Sequence, residues 1–254
     1  MTALDFRRAE LAANLDQIRQ RIAVACGKAG RNPAEVVVIA VTKYFPFSDV
    51  TLLAELGISD IGENRDNQAR ERALRAPQLR WHFLGQLQRN KCRSVVRYAN
   101  MVHSVDRPDL VRALGRAADQ LRSNPLDILL QINLDPVNLE LAAFNGALRS
   151  DHDLSMDPTR RRAGVSPSEV ESLVAVTQEF AMLRLRGVMG ITPRYGSAEP
   201  AFSQLRSVSR QVQELHPPAK WISAGMSDDL EAAIAAGATH VRVGTALLGI
   251  SLTG

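Results

Sequence analysis

With 254 residues, 45% of them hydrophobic and 23% charged, the chain has the makeup of a globular protein and the length of one large α/β domain. Its 31 Lys and Arg against 27 Asp and Glu leave a formal charge of only +4, spread along predicted helices, so no nucleic-acid partner is expected. Arg160-Arg161-Arg162, the one basic run, reads as a solvated loop. Cys26 and Cys92 have neither the number nor the spacing of a disulfide framework or a zinc site, so no metal is expected. No apolar run is long enough to cross a bilayer. Met1 to Arg21 is amphipathic and carries Asp5, Glu10 and Asp16, unlike a secretory signal, so a cytoplasmic location without membrane attachment is expected.

Leu4, Leu11, Leu15, Ile18 and Ile22 recur at helical spacing, and Gly30 with Pro33 ends that helix, so residues 1–30 form an addition before the first strand. Val36 to Val41 is a continuous apolar run, mostly β-branched and without alternation, as in a parallel strand covered on both faces. It stops at Thr42-Lys43-Tyr44. Alternation then continues with a helix over Phe47 to Leu56, a strand over Ile58 to Ile61 and a helix over Asp66 to Arg75. Strands follow at Arg80 to Leu84, Met101 to Val105 and Asp127 to Asn133, separated by helices ending near Tyr98 and Arg122. Residues 134–164 carry neither a clear strand nor a helical stripe and read as a long loop insertion. Ser166-Pro167-Ser168-Glu169 opens a helix to about Ala181 with capping chemistry. Strands at Leu185 to Ile191, Lys220 to Ala224 and His240 to Val243 alternate with helices at Glu199 to Leu215, Asp228 to Ala236 and Thr245 onward. Eight strands alternating with helices over this length predict a single (β/α)8 TIM barrel spanning residues 1–254, with an extra N-terminal helix.

In such barrels the working groups sit at the C-terminal strand ends. Those ends here are Lys43, Asn64, His82, Ser104 with Asp106, Gln131 with Asn133, Met189 with Thr192, Ser223, and Arg242 with Thr245. A lysine closing an apolar strand either reaches water or serves as a Schiff-base nucleophile toward an aldehyde or ketone. Ser223-Ala224-Gly225-Met226-Ser227-Asp228-Asp229 and Arg242-Val243-Gly244-Thr245 are small-residue turns after strands seven and eight. There, backbone amides and a guanidinium suit a phosphate. An amine opposite a phosphate cradle fits pyridoxal 5′-phosphate (PLP), and it also fits a sugar phosphate in a Schiff-base aldolase. The candidate cofactor-binding set is therefore Lys43, Asn64, His82, Met189, Ser223, Gly225, Met226, Ser227, Arg242, Gly244 and Thr245.

Ala40-Val41-Thr42-Lys43, Gly62-Glu63-Asn64, the run from Trp81 to Lys91, Gly225-Met226-Ser227-Asp228-Asp229 and Arg242-Val243-Gly244-Thr245-Ala246 resemble the YggS/PROSC family of pyridoxal phosphate homeostasis proteins, in the same order and across nearly the whole chain. The resemblance implies the alanine racemase N-terminal barrel, the fold type III of PLP proteins. It also implies that Lys43 carries PLP as an internal aldimine, that Asn64 lies near the ring, and that Ser223, Gly225, Met226, Ser227, Arg242, Gly244 and Thr245 belong to the phosphate region. Arg65 stands where many relatives have tyrosine. Racemases and decarboxylases of this fold resemble two-domain machines with a C-terminal β-domain, which is not expected here, and Tyr44, Tyr98 and Tyr195 offer no obvious second base. The expected function is thus intracellular PLP homeostasis, with PLP held reversibly on Lys43 by a monomer and PLP-dependent apo-enzymes as possible acceptors. The alternatives are a small amino-acid racemase or a sugar-phosphate aldolase.

Overall fold

The structure, a computed structural model, describes residues 2–135, 163–193 and 197–250. The first element is α1 (Ala3–Lys28), opened by a capping box in which Thr2 and Asp5 exchange side-chain and backbone hydrogen bonds. Eight strands follow: β1 (Val37–Val41), β2 (Asp60–Glu63), β3 (Arg80–Phe83), β4 (Met101–Val105), β5 (Leu126–Ile132), β6 (Leu183–Gly190), β7 (Trp221–Ser223) and β8 (His240–Val243). Between and after them lie α2 (Phe47–Glu55), α3 (Asp66–Arg75), α4 (Cys92–Tyr98), α5 (Pro108–Leu121), α6 (Val170–Gln178), α7 (Ala198–Leu215), α8 (Leu230–Ala235) and α9 (Thr245–Leu248). The strands pair in sequence order, all parallel, and β8 closes on β1 with Ile39 opposite Arg242. The expected (β/α)8 barrel and its N-terminal helix are both present.

Two apolar shells surround the barrel. One joins β3 to β7 with α4 to α7. The other packs Leu11, Leu15, Ile18 and Ile22 of α1 against Leu230, Ile234 and Leu247. α1 therefore covers the seam where β8 meets β1. Polar contacts fix it there: Asn14 donates to the Leu247 carbonyl (3.0 Å) and Arg7 to the Leu248 carbonyl (2.9 Å).

The second strand runs over Asp60–Glu63 rather than Ile58 to Ile61. Its polar ends disguised its bounds, because Asp60 turns into the barrel and Glu63 outward, and both are buried. Gly62 belongs inside this strand, since a Cβ there would lie 2.9 Å from Ile39 Cγ2 and 2.6 Å from Leu84 Cδ1. The sixth strand starts two residues earlier than expected, at Leu183. The helix after β7 is shorter than expected, Leu230–Ala235. Ahead of α6 the chain makes a turn of 3-10 helix, and Ser166 bonds to the Ser168 hydroxyl (2.9 Å) instead of capping. Most of the loop insertion, with Arg160 to Arg162, and Tyr195 lie outside the described residues.

Candidate functional site

Lys43 is the second residue past the end of β1, after Thr42. It is the second residue of a turn in which the Phe45 N–H donates to the Thr42 carbonyl (3.1 Å). Its Nζ stands 5.8 Å from the centroid of the Tyr44 ring, and among the described residues it joins no ion pair. Arg65 stacks on the same ring at 5.0 Å and reaches the Tyr44 hydroxyl at 3.4 Å. Asn64, after β2, is half-buried, and its backbone touches Gly85 so closely that a Cβ on Gly85 would lie 2.3 Å from the Asn64 carbonyl oxygen. The strand-one, strand-two and strand-three loops thus meet beside Lys43.

Arg242 is the third residue of β8 and is only 6% exposed. Its guanidinium donates to Ser223 Oγ (2.8 Å) and to the Gly190 carbonyl at the end of β6 (2.9 Å). No carboxylate lies within ion-pair distance among the described residues. Burial lowers its pKa to about 10, with the charge of Asp229 opposing that fall. A buried cation without a carboxylate is costly, and it favours an anion nearby. The two cradle loops are joined, because the Ala246 N–H donates to Ser227 Oγ (3.1 Å) and the Arg242 N–H to the Gly225 carbonyl (2.9 Å). Gly244 is half-buried and Thr245 exposed.

One amide of the cradle is already engaged. The Met226 N–H donates to Asp229 Oδ1 (2.6 Å), and Asp229 Oδ2 accepts from the Thr192 hydroxyl (2.8 Å). The turn after β7 is therefore closed by its own carboxylate, a role that sequence reasoning missed. A cavity of about 620 Å³ opens over the ends of β5, β6 and β7, bordered by Gln131, Asn133, Thr192, Met226 and Asp229; Lys43 does not line it.

His82, Met189 and Ser223 are placed otherwise than expected. Met189 packs inside the barrel with Met101 and Leu129 in a separate small apolar cluster. His82 lies beneath the mouth with both ring nitrogens engaged, Nε2 with Asp60 Oδ1 (2.8 Å) and Nδ1 with His103 Nε2 (2.9 Å). His103 Nδ1 in turn meets Ser223 Oγ (3.0 Å). The proton positions follow from the two ends. Asp60 can only accept, so His82 carries its proton on Nε2 and His103 must donate from its own Nε2. Ser223, which already accepts from Arg242, then spends its one proton on His103 Nδ1. It is a link in this chain rather than a donor to a ligand. Burial is the largest influence on both histidines and keeps them neutral; the Asp60 carboxylate opposes it at His82, and the Arg242 guanidinium is among the groups that add to it at His103. Asp60 itself is held below the usual carboxylate range: burial acts against that, and the His82 bond and the Ser59 hydroxyl outweigh it.

The closed parallel barrel thus carries a half-buried lysine after β1 and a buried arginine near the end of β8, and the family model described as "Alanine racemase, N-terminal domain" matches residues 148–252. Among curated relatives, the pyridoxal phosphate homeostasis protein of Mycobacterium leprae is 38% identical over 96% of this chain and 94% of its own length. That of Escherichia coli is 33% identical over 94% and 96%. The solved structure of PipY from Synechococcus elongatus with PLP bound is 28% identical, with a TM-score of 0.75 over 94% of this chain and 100% of that one. The chain belongs to the pyridoxal phosphate homeostasis protein family.

Proposed function

We propose that this chain binds PLP reversibly and serves intracellular PLP homeostasis. The observation that carries the reading is the buried Arg242 guanidinium, which has no carboxylate within ion-pair distance among the described residues and stands at the strand end where two small-residue turns meet. The residues present fit the cofactor: Arg242 with the turns at Gly225 to Ser227 and Gly244-Thr245 would hold its phosphate, and Asn64 would lie beside its ring. When bound, PLP supplies an aldehyde that condenses reversibly with an amine, forming one C=N bond and releasing one water. Lys43 supplies that amine. The names of the relatives and the PLP-bound PipY structure support the same reading.

A carrier is favoured over a racemase by the acid–base groups in reach. The ring nitrogens of His82 and His103 are committed inside the barrel. Tyr98 is half-buried with its hydroxyl enclosed, and burial together with the Asp66 charge pushes its pKa far up. A general base must stand within hydrogen-bond reach of the proton it removes. PLP-dependent apo-enzymes are the natural acceptors, and a cytoplasmic monomer is the form we assign. Among the described residues no helix is long and apolar enough to cross a membrane.

Incubation with PLP should give a visible absorption band that borohydride fixes onto Lys43 and that Lys43→Ala abolishes. Adducts scattered over surface lysines would overturn the assignment. Exchange of an amino acid's α-hydrogen with deuterated water, lost in Lys43→Ala, would replace the carrier with an enzyme.

A further inference from the structure

Arg72 of α3 touches neither cradle, yet it grips the turn that presents Lys43. It lies outside the barrel wall and is 7% exposed. Its Nη1 donates to Glu63 Oε1 and to the Thr42 carbonyl (3.1 Å), and its Nη2 donates to the Phe45 carbonyl. Thr42 completes the unit by donating its hydroxyl to the same Glu63 oxygen (2.7 Å). One planar fork therefore holds the first and last carbonyls of the turn Thr42-Lys43-Tyr44-Phe45. Lysine could not do this, because its point charge cannot span two acceptors held apart.

The turn needs holding. Among the described residues Tyr44 is the only non-glycine residue with positive φ, at 70°. It occupies the third position of the turn, where a type II geometry calls for glycine. The left-handed conformation is costly for a residue with a Cβ, and strained residues persist only where their surroundings over-determine them. Stability alone does not explain the Arg72–Glu63 pair, since buried ion pairs replaced by well-packed apolar groups are often neutral or more stable. The pair sits where it can set the direction of the two residues between the held carbonyls, Lys43 and Tyr44.

We propose that Arg72, braced by Glu63 and Thr42, is a positioning residue for Lys43: it holds Tyr44 in the left-handed region and so aims the Lys43 amine into the barrel mouth. The inference rests on the reading of Lys43 as the residue that bonds PLP.

The test compares PLP with 4-deoxypyridoxine 5′-phosphate, which has the ring and phosphate but no aldehyde, on the full-length protein. Arg72→Lys keeps a cation for Glu63 and loses the fork. The equilibrium for the borohydride-fixable adduct on Lys43 should fall about tenfold, the equivalent of ~1.4 kcal/mol and within the cost of the left-handed residue. Calorimetric affinity for the deoxy analogue should stay within about twofold, because its contacts do not include the amine. Adding Tyr44→Gly should recover most of the loss, since glycine adopts positive φ without penalty. If Arg72→Lys does not fold, Thr42→Val, which frees Glu63 from one partner, should give the same split between the two ligands at smaller size. Parallel loss of both ligands, no loss of either, or no recovery with glycine would overturn the proposal. Wild-type protein that binds the analogue and forms no Lys43 adduct would instead overturn the PLP reading itself, before any variant is made.

Discussion

Replacing Arg242 with methionine keeps most of the side chain's volume and removes its charge and donors. In the folded protein the guanidinium makes two side-chain hydrogen bonds, to Ser223 Oγ and the Gly190 carbonyl, and has no carboxylate in ion-pair reach among the described residues. Hydrogen bonds involving a charged group contribute about 1.5–3 kcal/mol, so losing one to the cofactor's phosphate should weaken PLP binding roughly 10- to 150-fold. The ligand-free protein should respond differently. Removing an uncompensated buried cation relieves its desolvation, while Ser223 loses a donor and the Gly190 carbonyl is orphaned at about 1–3 kcal/mol. The two effects oppose each other, and the melting temperature should move by only a few degrees, at about 2–4 °C per kcal/mol. Titration with PLP and with inorganic phosphate, followed by fluorescence alongside thermal melting, separates the terms. Unchanged affinity for both ligands together with a large drop in melting temperature would show that Arg242 is a strut and that the phosphate binds elsewhere.

Other outcomes follow from the barrel interior. His82, His103 and His240 are all held neutral by burial, His240 down to about 3. Their folded pKa values lie below the unfolded 6.5, so the unfolded state binds more protons as pH falls below 6.5. Stability should then be lost by about 1.4 kcal/mol per pH unit for each histidine, down to its folded pKa. Equilibrium unfolding in urea should show this slope below pH 6.5 and almost none between pH 7 and 8; a flat profile down to pH 5 would refute it. Nitrogen-15 NMR at pH 7 should find both His82 and His103 protonated on Nε2 only, and an imidazolium or an Nδ1 proton on either would break the deduced chain to Ser223. Gly187→Ala should cost about 3 kcal/mol or more, because Gly187 has φ 151° and a Cβ there would lie 1.9 Å from the Trp221 carbonyl oxygen. A melting temperature within about 2 °C of the parent would contradict that clash.

The strands that announce themselves are those whose inward and outward faces are both apolar. β1 and β5 were visible for this reason, as was the lysine that closes β1. β2 was read two residues too early, because Asp60 and Glu63 are buried against partners that no local spacing reveals: His82 is 22 residues away and Arg72 is nine. The link from His103 to Ser223 spans 120 residues and exists only because the barrel closes. Arg72 left one trace, since with Asp66, Ala69 and Ala73 it falls on the buried stripe of α3, and an arginine on such a stripe must have a buried partner. Asp229 was in plain view three residues after Met226, but its capture of that amide depends on turn geometry and on Thr192 from the loop after β6.

These buried polar groups share one arrangement. The strand ends show the residues proposed to face the ligand, Lys43 and Arg242, while their buried polar neighbours lie one layer away: Arg72 and Glu63 outside the wall beside the Lys43 turn, and Ser223, His103, His82 and Asp60 inside it behind Arg242. The inner chain has a fixed direction, with each group donating toward Asp60, so the charge of that carboxylate polarises every link up to the oxygen that accepts from Arg242. The guanidinium is thereby held at its outer end without an adjacent carboxylate to neutralise it, and an adjacent carboxylate is what would compete with a phosphate. A direct Arg–Asp pair in this place would neutralise the guanidinium and weaken it as an anion site. Ser223→Asp creates that pair at the cost of the hydroxyl that donates to His103 Nδ1, and it should reduce PLP affinity, followed by titration, by more than Ser223→Ala does. If Ser223→Asp bound PLP as well as the parent protein, the distance between Asp60 and Arg242 would have no functional meaning.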